Sequence, residues 1–102
     1  MSSNTEWPRL QFLTQEHVHS VLNACNTPNL LHALQAVPDN AMIELQAVIW
    51  TGSSDIGEDF AENLRYSQDR FDSTSREYLT GKMPLQAYIE NGLRISRVLL
   101  AD

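Results

Sequence analysis

Residues 39 to 50 read DNAMIELQAVIW, and this stretch decides the fold class. Its apolar side chains cover most of the circumference of a helix instead of one narrow stripe. They are Met42, Ile43, Leu45, Val48, Ile49 and Trp50. Because a helix that is apolar nearly all round must be covered on several sides, we predict a central core helix over residues 39–50.

Two amphipathic helices are predicted before this core helix. Thr14 can accept the free amide hydrogens of a first turn. The apolar face that follows consists of Val18, Val21, Leu22 and Cys25. The second helix is expected to begin at Pro28 and to end before Pro38, because the residue before a proline avoids the helical region. Residues 1–13 are expected to form an extended arm.

The segment after the core helix contains a break and a fourth helix. Gly52 is suited to the left-handed position that ends a helix. Asp55 and Glu58 have the spacing of a capping box, so we predict that the next helix begins at Asp55. Its expected buried face consists of Phe60, Ala61, Leu64 and Phe71.

The last third of the chain predicts two more helices. Thr74 and Glu77 form a second capping-box pattern, and the short helix that follows is expected to stop at Gly81. The final helix should open at Pro84, with an apolar face of Leu85, Tyr88, Ile89, Leu93 and Leu99. Gly92 lies on that face, where glycine costs about 1 kcal/mol relative to alanine, so we expect a close approach of another element there.

Taken together, these patterns predict an all-α fold: one domain over residues 1–102, built as an irregular bundle of about five helices around the 39–50 helix. Apolar and polar residues do not alternate over a stretch long enough to predict a β-strand.

The charge is acidic, with a formal net value of −6. A nucleic-acid partner is therefore not expected, since its phosphates require cations, and the same holds for an anionic membrane surface. Arg65, Arg94 and Arg97 could form a local basic patch, but we interpret them as ordinary surface residues.

The sequence also bears on localisation. Cys25 is the single cysteine, so a disulfide within one chain cannot form, and a cytoplasmic setting is the simplest expectation. The first residues, MSSNTEWPRLQF, lack the basic and apolar pattern of a secretory signal. The longest purely apolar stretch has four residues, whereas a membrane span needs about twenty.

An acidic run is the candidate site that stands out most. Asp55, Glu58, Asp59 and Glu62 follow the spacing i, i+3, i+4, i+7, which would place them on one helix face. The favoured interpretation is a solvated face that caps a helix. The alternatives are a surface for a basic protein partner, or carboxylates that bind a metal or perform acid–base chemistry.

Other chemistry is weakly indicated. His17, His19 and His32 do not have zinc spacing, and Cys25 lies on an apolar face, where thiols are inert. Nucleophile-elbow and phosphate-binding glycine motifs are missing from the sequence, so we predict no catalytic residue and no cofactor or metal site. Tyr78 and Tyr88 could line a binding groove, because a tyrosine hydroxyl needs water or a partner.

The second half of the chain resembles a bacterial family of unknown function, the one numbered 3775. The resemblance rests on Ala47–Trp50 followed by Gly52 and Asp55, then on Tyr78-Leu79-Thr80-Gly81, Pro84-Leu85, Tyr88-Ile89 and Gly92-Leu93. It covers residues 43–99. It implies a small helical bacterial protein of the cytosol and transfers no activity and no functional residue.

Two hypotheses follow for function. The first is a non-enzymatic module that binds another protein through the Asp55–Glu62 face or through a groove near Tyr78 and Tyr88. The second is a small-ligand or metal-binding protein or enzyme that uses the same carboxylates. Oligomeric state is left open by the sequence.

Overall fold

The computed structural model describes residues 7–54, 56–57 and 59–102, and this part of the chain is mostly helical. In chain order its elements are β1 (Arg9–Thr14), α1 (Gln15–Ala24), α2 (Leu30–Gln35), α3 (Asp39–Ser53), α4 (Phe60–Arg70), α5 (Ser75–Thr80), α6 (Leu85–Ser96) and β2 (Leu99–Ala101). The predicted helical class is thus confirmed in outline. Within the described residues no helix has the length and apolar character needed to cross a membrane.

Helix α3 forms the core, as its sequence predicts. Ten of its residues are buried, and it packs against α6, α4 and β1. It ends three residues later than expected, at Ser53, because Gly52 is part of the helix. The left-handed position belongs instead to Ser54, with φ of 55°, so the prediction that Gly52 caps the helix is wrong.

The contact between α3 and α6 explains both Gly52 and Gly92. A Cβ atom on Gly52 would lie 1.9 Å from the carbonyl oxygen of Tyr88, and one on Gly92 would lie 1.9 Å from that of Val48. Side chains larger than a hydrogen atom therefore do not fit between the two backbones. The close approach predicted at Gly92 is confirmed, and Gly52 serves the same contact.

A two-stranded parallel sheet corrects the all-α prediction. β1 pairs with β2 in the register Arg9 to Leu99 and Thr14 to Ala101, with an irregularity between these pairs. Leu99 also donates its N–H to the Pro8 carbonyl at 2.8 Å. Strands this short and irregular do not produce a detectable alternation of apolar and polar residues. The prediction that Leu99 belongs to the last helix is wrong, because that helix ends at Ser96 and Leu99 begins β2.

Helix starts agree with the sequence in part. Thr14 caps α1, its hydroxyl accepting the His17 N–H while His17 Nδ1 accepts the Thr14 N–H, both at 3.1 Å. Thr74 precedes α5, but its side chain forms no capping bond, so the predicted box with Glu77 is wrong. The Asp72 carboxylate serves this turn by accepting the Thr74 N–H at 2.9 Å.

Candidate functional site

The packing of α4 on α3 includes buried polar side chains, which the predicted apolar face does not contain. Asn63 and Ser67 are fully buried. Asn63 Nδ2 donates to Thr51 Oγ1 at 2.9 Å, and Asn63 Oδ1 accepts the Gly57 N–H at 2.6 Å. Ser67 Oγ donates to the Ile43 carbonyl at 2.8 Å. We call Thr51, Asn63 and Ser67 the polar seam.

In this orientation the apolar residues of α4 are not fully buried. Phe60 and Phe71 are partly buried and pack against the hydrophobic core, Leu64 is partly buried, and Ala61 is exposed, so the predicted buried face is confirmed in part. The seam rotates α4 because Asn63 and Ser67, four residues apart, occupy the side that contacts α3. The apolar side that remains lines a concave surface.

That surface is a groove of about 470 Å³ between β1, α3 and α4, called here the β1–α4 groove. Its lining residues are Pro8, Arg9, Leu10, Gln11, Phe12, Asn40, Ile43, Glu44, Phe60, Ala61, Leu64, Gln68 and Val98. Phe12 is 43% exposed, a large fraction for a phenylalanine that lines a cavity. The volume lies within the range of about 300 to 1,000 Å³ that is typical of ligand sites.

One wall of the groove is fixed by Glu44, which is buried in α3. Its Oε1 accepts the N–H groups of Phe12 and Leu13 at 2.9 and 2.8 Å, and its Oε2 accepts that of Gln11 at 3.0 Å. Alternate N–H groups of a regular strand point to opposite sides, so three consecutive donors on one carboxylate require the irregular backbone that β1 shows. The carboxylate therefore anchors β1 to α3.

Two residues of the predicted acidic face, Asp59 and Glu62, lie in the part of the chain that the structure describes. Asp59 is the N-cap of α4, and its side chain accepts the Glu62 N–H at 2.9 Å. Helix α4 therefore begins at Phe60 and not at Asp55; Asp55 and Glu58 themselves lie outside the described residues. Glu62 lies within α4, where Tyr66 donates its hydroxyl to Glu62 Oε2 at 3.4 Å.

The two candidate tyrosines lie apart from the groove. Tyr78 on α5 is 51% exposed. Tyr88 on α6 is half-buried, its backbone carbonyl faces Gly52, and Lys82 Nζ lies 5.5 Å from the centroid of its ring. Neither lines the β1–α4 groove, so a surface formed by these tyrosines stays a separate prediction.

A second concavity, of about 660 Å³, surrounds Arg76 on α5. Arg76 donates from Nε to the Leu34 carbonyl at 2.9 Å, from Nη2 to the Val37 carbonyl, and to Asp39 Oδ1 at 3.0 Å. These bonds tie α5 to the turn between α2 and α3. The guanidinium is thus used for structure, and this concavity is a weaker candidate site.

The titratable side chains of the described residues were compared with the arrangements that bind a metal ion. In residues 7–54, 56–57 and 59–102, no group of three or more His, Cys, Asp and Glu side chains could hold a metal ion. His17 is half-buried, while His19 and His32 are exposed. Burial, followed by the negative charge of Glu90, raises the pKa of the buried Cys25 thiol.

A comparison with known protein families agrees with the family resemblance seen in the sequence. Residues 27–96 match a family described as a protein of unknown function, DUF3775. The chain belongs to this family. The DUF3775 match begins earlier than the resemblance over residues 43–99 and includes α2 to α6, while β1, α1 and β2 lie outside it. No curated protein and no solved structure gave a significant match.

Proposed function

We propose that this DUF3775 protein is a non-enzymatic interaction module that binds a partner protein through the β1–α4 groove. The observation that carries the proposal is the exposure of Phe12, which is 43% accessible at the edge of a groove lined by Leu10, Ile43, Phe60 and Leu64. An exposed aromatic side chain beside an apolar concavity is typical of a recognition surface.

The charge of the chain favours a cationic partner. The formal net charge of −6 attracts positively charged proteins over a distance and repels acidic ones. The anionic character also disfavours nucleic acid. We place the protein in the bacterial cytoplasm, as its single cysteine and its resemblance to a bacterial family suggest.

A pull-down from a bacterial host that encodes the protein tests the groove directly. Phe12→Ser removes the exposed ring, and Ala61→Arg places a bulky cation at an exposed position of the groove. Tyr78→Ser is the matched control, since it also removes an exposed aromatic ring, but on α5. We expect proteins retained by the wild type and by Tyr78→Ser to be lost from both groove variants.

The acidic surface at the start of α4 is tested in the same experiment. Asp59→Asn keeps an N-cap, because asparagine caps a helix about as well as aspartate, while the charge is removed. Combined with Glu62→Gln, it abolishes binding if the acids themselves receive the partner. Retention in this double variant together with loss in Phe12→Ser assigns recognition to the groove.

Small-ligand binding is the second candidate, favoured by the groove volume of about 470 Å³. It predicts that an apolar small molecule raises the melting temperature of the wild type and not that of Ala61→Arg. A thermal-shift screen with such molecules and with divalent metals separates this activity, and the carboxylate–metal alternative, from protein binding.

A further inference from the structure

We infer that the segment of the partner that fills the β1–α4 groove is an amphipathic helix with lysine or arginine on its exposed face, not an added β-strand. This inference rests on the proposed function. It concerns the type of secondary structure that the walls of the groove accept.

The β1 wall has already used the donors that an added strand would need. A peptide that extends a sheet forms a ladder with free N–H and C=O groups along an edge. The N–H groups of Gln11, Phe12 and Leu13 are all bonded to the Glu44 carboxylate, at 2.8 to 3.0 Å. The opposite side of β1 is paired with β2. A strand that entered the groove would have to displace a buried carboxylate, which costs free energy.

The other wall accepts side chains and not backbone. It is the surface of α4, whose lining positions Phe60, Ala61, Leu64 and Gln68 are spaced like one side of a helix. From residue 60 to residue 68 this wall is about 12 Å long, at about 1.5 Å of rise per residue. That length corresponds to about two helical turns, the distance spanned by apolar anchors at i, i+3 or i+4, and i+7.

The charges around the groove suit a cationic helix. Arg9, the cation in the lining, forms an exposed ion pair with Asp102 at 2.9 Å, and the formal charges of the two side chains sum to zero. Asp59 and Glu62 flank the lining residues Phe60 and Ala61 in the chain. A helix whose apolar side chains face the groove matches the apolar lining, and lysines on its outer face are attracted by the net charge of −6.

Two synthetic peptides of identical composition test the inference. Both contain only leucine and lysine and are about 18 residues long, enough to form a stable helix. One has a helical repeat of leucines, and the other alternates leucine and lysine, which specifies a strand. Binding of each labelled peptide to the full chain is measured by fluorescence anisotropy at physiological salt, with Phe12→Ser, Ala61→Arg and Tyr78→Ser as variants.

The expected result is that the helical peptide binds, that both groove variants weaken it by about tenfold, and that Tyr78→Ser leaves it within about twofold. If the alternating peptide binds more strongly and Phe12→Ser weakens this binding, the inference of a helical partner segment is wrong, while the proposed function is unaffected. Binding that ignores both groove variants, or no binding of either peptide, also overturns the helix inference. The pull-down decides the proposed function independently, because it uses native partners of any conformation.

Discussion

Gly52 and Gly92 face each other across the contact of α3 with α6, and a Cβ atom on Gly52 would lie 2.6 Å from the backbone nitrogen of Gly92. Each glycine also lies against a carbonyl oxygen of the opposite helix, that of Tyr88 or of Val48. The distance between the two helix axes is therefore set by the absence of two side chains.

Replacing Gly92 by alanine is expected to lower the free energy of unfolding by about 3 kcal/mol or more, because the new methyl group meets backbone that cannot rotate away. Urea unfolding measures the loss. Gly81→Ala is the matched control, since its Cβ would lie 3.7 Å from the nearest atom, the Tyr78 carbonyl oxygen, and its φ is −92°. Equal stabilities of the two variants would contradict the close contact.

Glu44→Gln is expected to destabilise the protein by about 2 to 5 kcal/mol. A glutamine side chain offers one oxygen instead of two, so at least one of the three β1 N–H groups, which are buried or partly buried, loses its acceptor. Chemical denaturation gives the free energy, and amide hydrogen exchange at residues 11–13 should become faster. Glu77→Gln, at an exposed position of α5, should change the stability by less than about 0.5 kcal/mol.

Asn63→Ala is expected to cost about 2 to 3 kcal/mol, because it removes a fully buried amide and leaves Thr51 Oγ1 and the Gly57 N–H without this partner. A double-mutant cycle with Thr51→Val should show a coupling of about 1 kcal/mol or more. Additive effects of the two changes would indicate that the polar seam does not act as a unit. Gln68→Ala, an exposed change one turn beyond Leu64, serves as the control.

The bonds of Glu44 and Asn63 are features of the structure that the sequence does not predict. The central helix was predictable because an apolar circumference has one physical solution, and Gly92 because glycine inside a helix is costly without a reason. Gly52 was misassigned because a helix end and a close contact both select glycine. Asn63 and Ser67 were missed because apolar periodicity assumes that buried faces are apolar, whereas hydrogen bonds across the seam satisfy these two residues.

The groove was unpredictable for the same reason. Phe60 and Leu64 are apolar and helically spaced, but the seam decides which side of α4 meets α3. The β1 wall depends on bonds from residues 11–13 to a glutamate more than 30 positions away. No local pattern encodes that contact. The predicted start of the fourth helix was too early because Asp55 and Asp59 are equally good N-cap types, and the structure uses Asp59.

Thr74→Val is expected to raise the pKa of the Asp72 carboxyl toward its ordinary value, which an NMR titration measures. The Thr74 hydroxyl, followed by the Thr74 N–H, lowers the pKa of Asp72 in the folded chain, and the variant removes the hydroxyl. Because the pKa of Asp72 is lower in the folded chain, its carboxylate stabilises the fold at pH values above the ordinary pKa. This contribution is lost as the pH falls through the lowered pKa. An unchanged titration in the variant would contradict this assignment.

Cys25 is expected to react slowly with iodoacetamide in the folded protein and quickly in urea, because its thiol is buried and burial raises its pKa. The raised pKa favours the fold while the thiol stays protonated, and this contribution is lost as the pH rises through the raised value. Mass spectrometry of alkylated protein between pH 7 and pH 9 gives the rates. Equal rates with and without urea would show that the thiol is accessible.

The pairing of β1 with β2 has a consequence for the order of folding. Arg9 Nη1 is bonded to the Leu100 carbonyl, 91 positions along the chain, so this contact closes nearly the whole chain into a loop. Loop closure over that length costs about 4 kcal/mol of chain entropy, before an additive constant. Contacts between helices join residues that are closer in the chain, so the helices are expected to pack before this loop closes. The pairing of β1 with β2 is therefore expected to form last, after Glu44 has anchored β1 to α3 through bonds that span 31 to 33 positions.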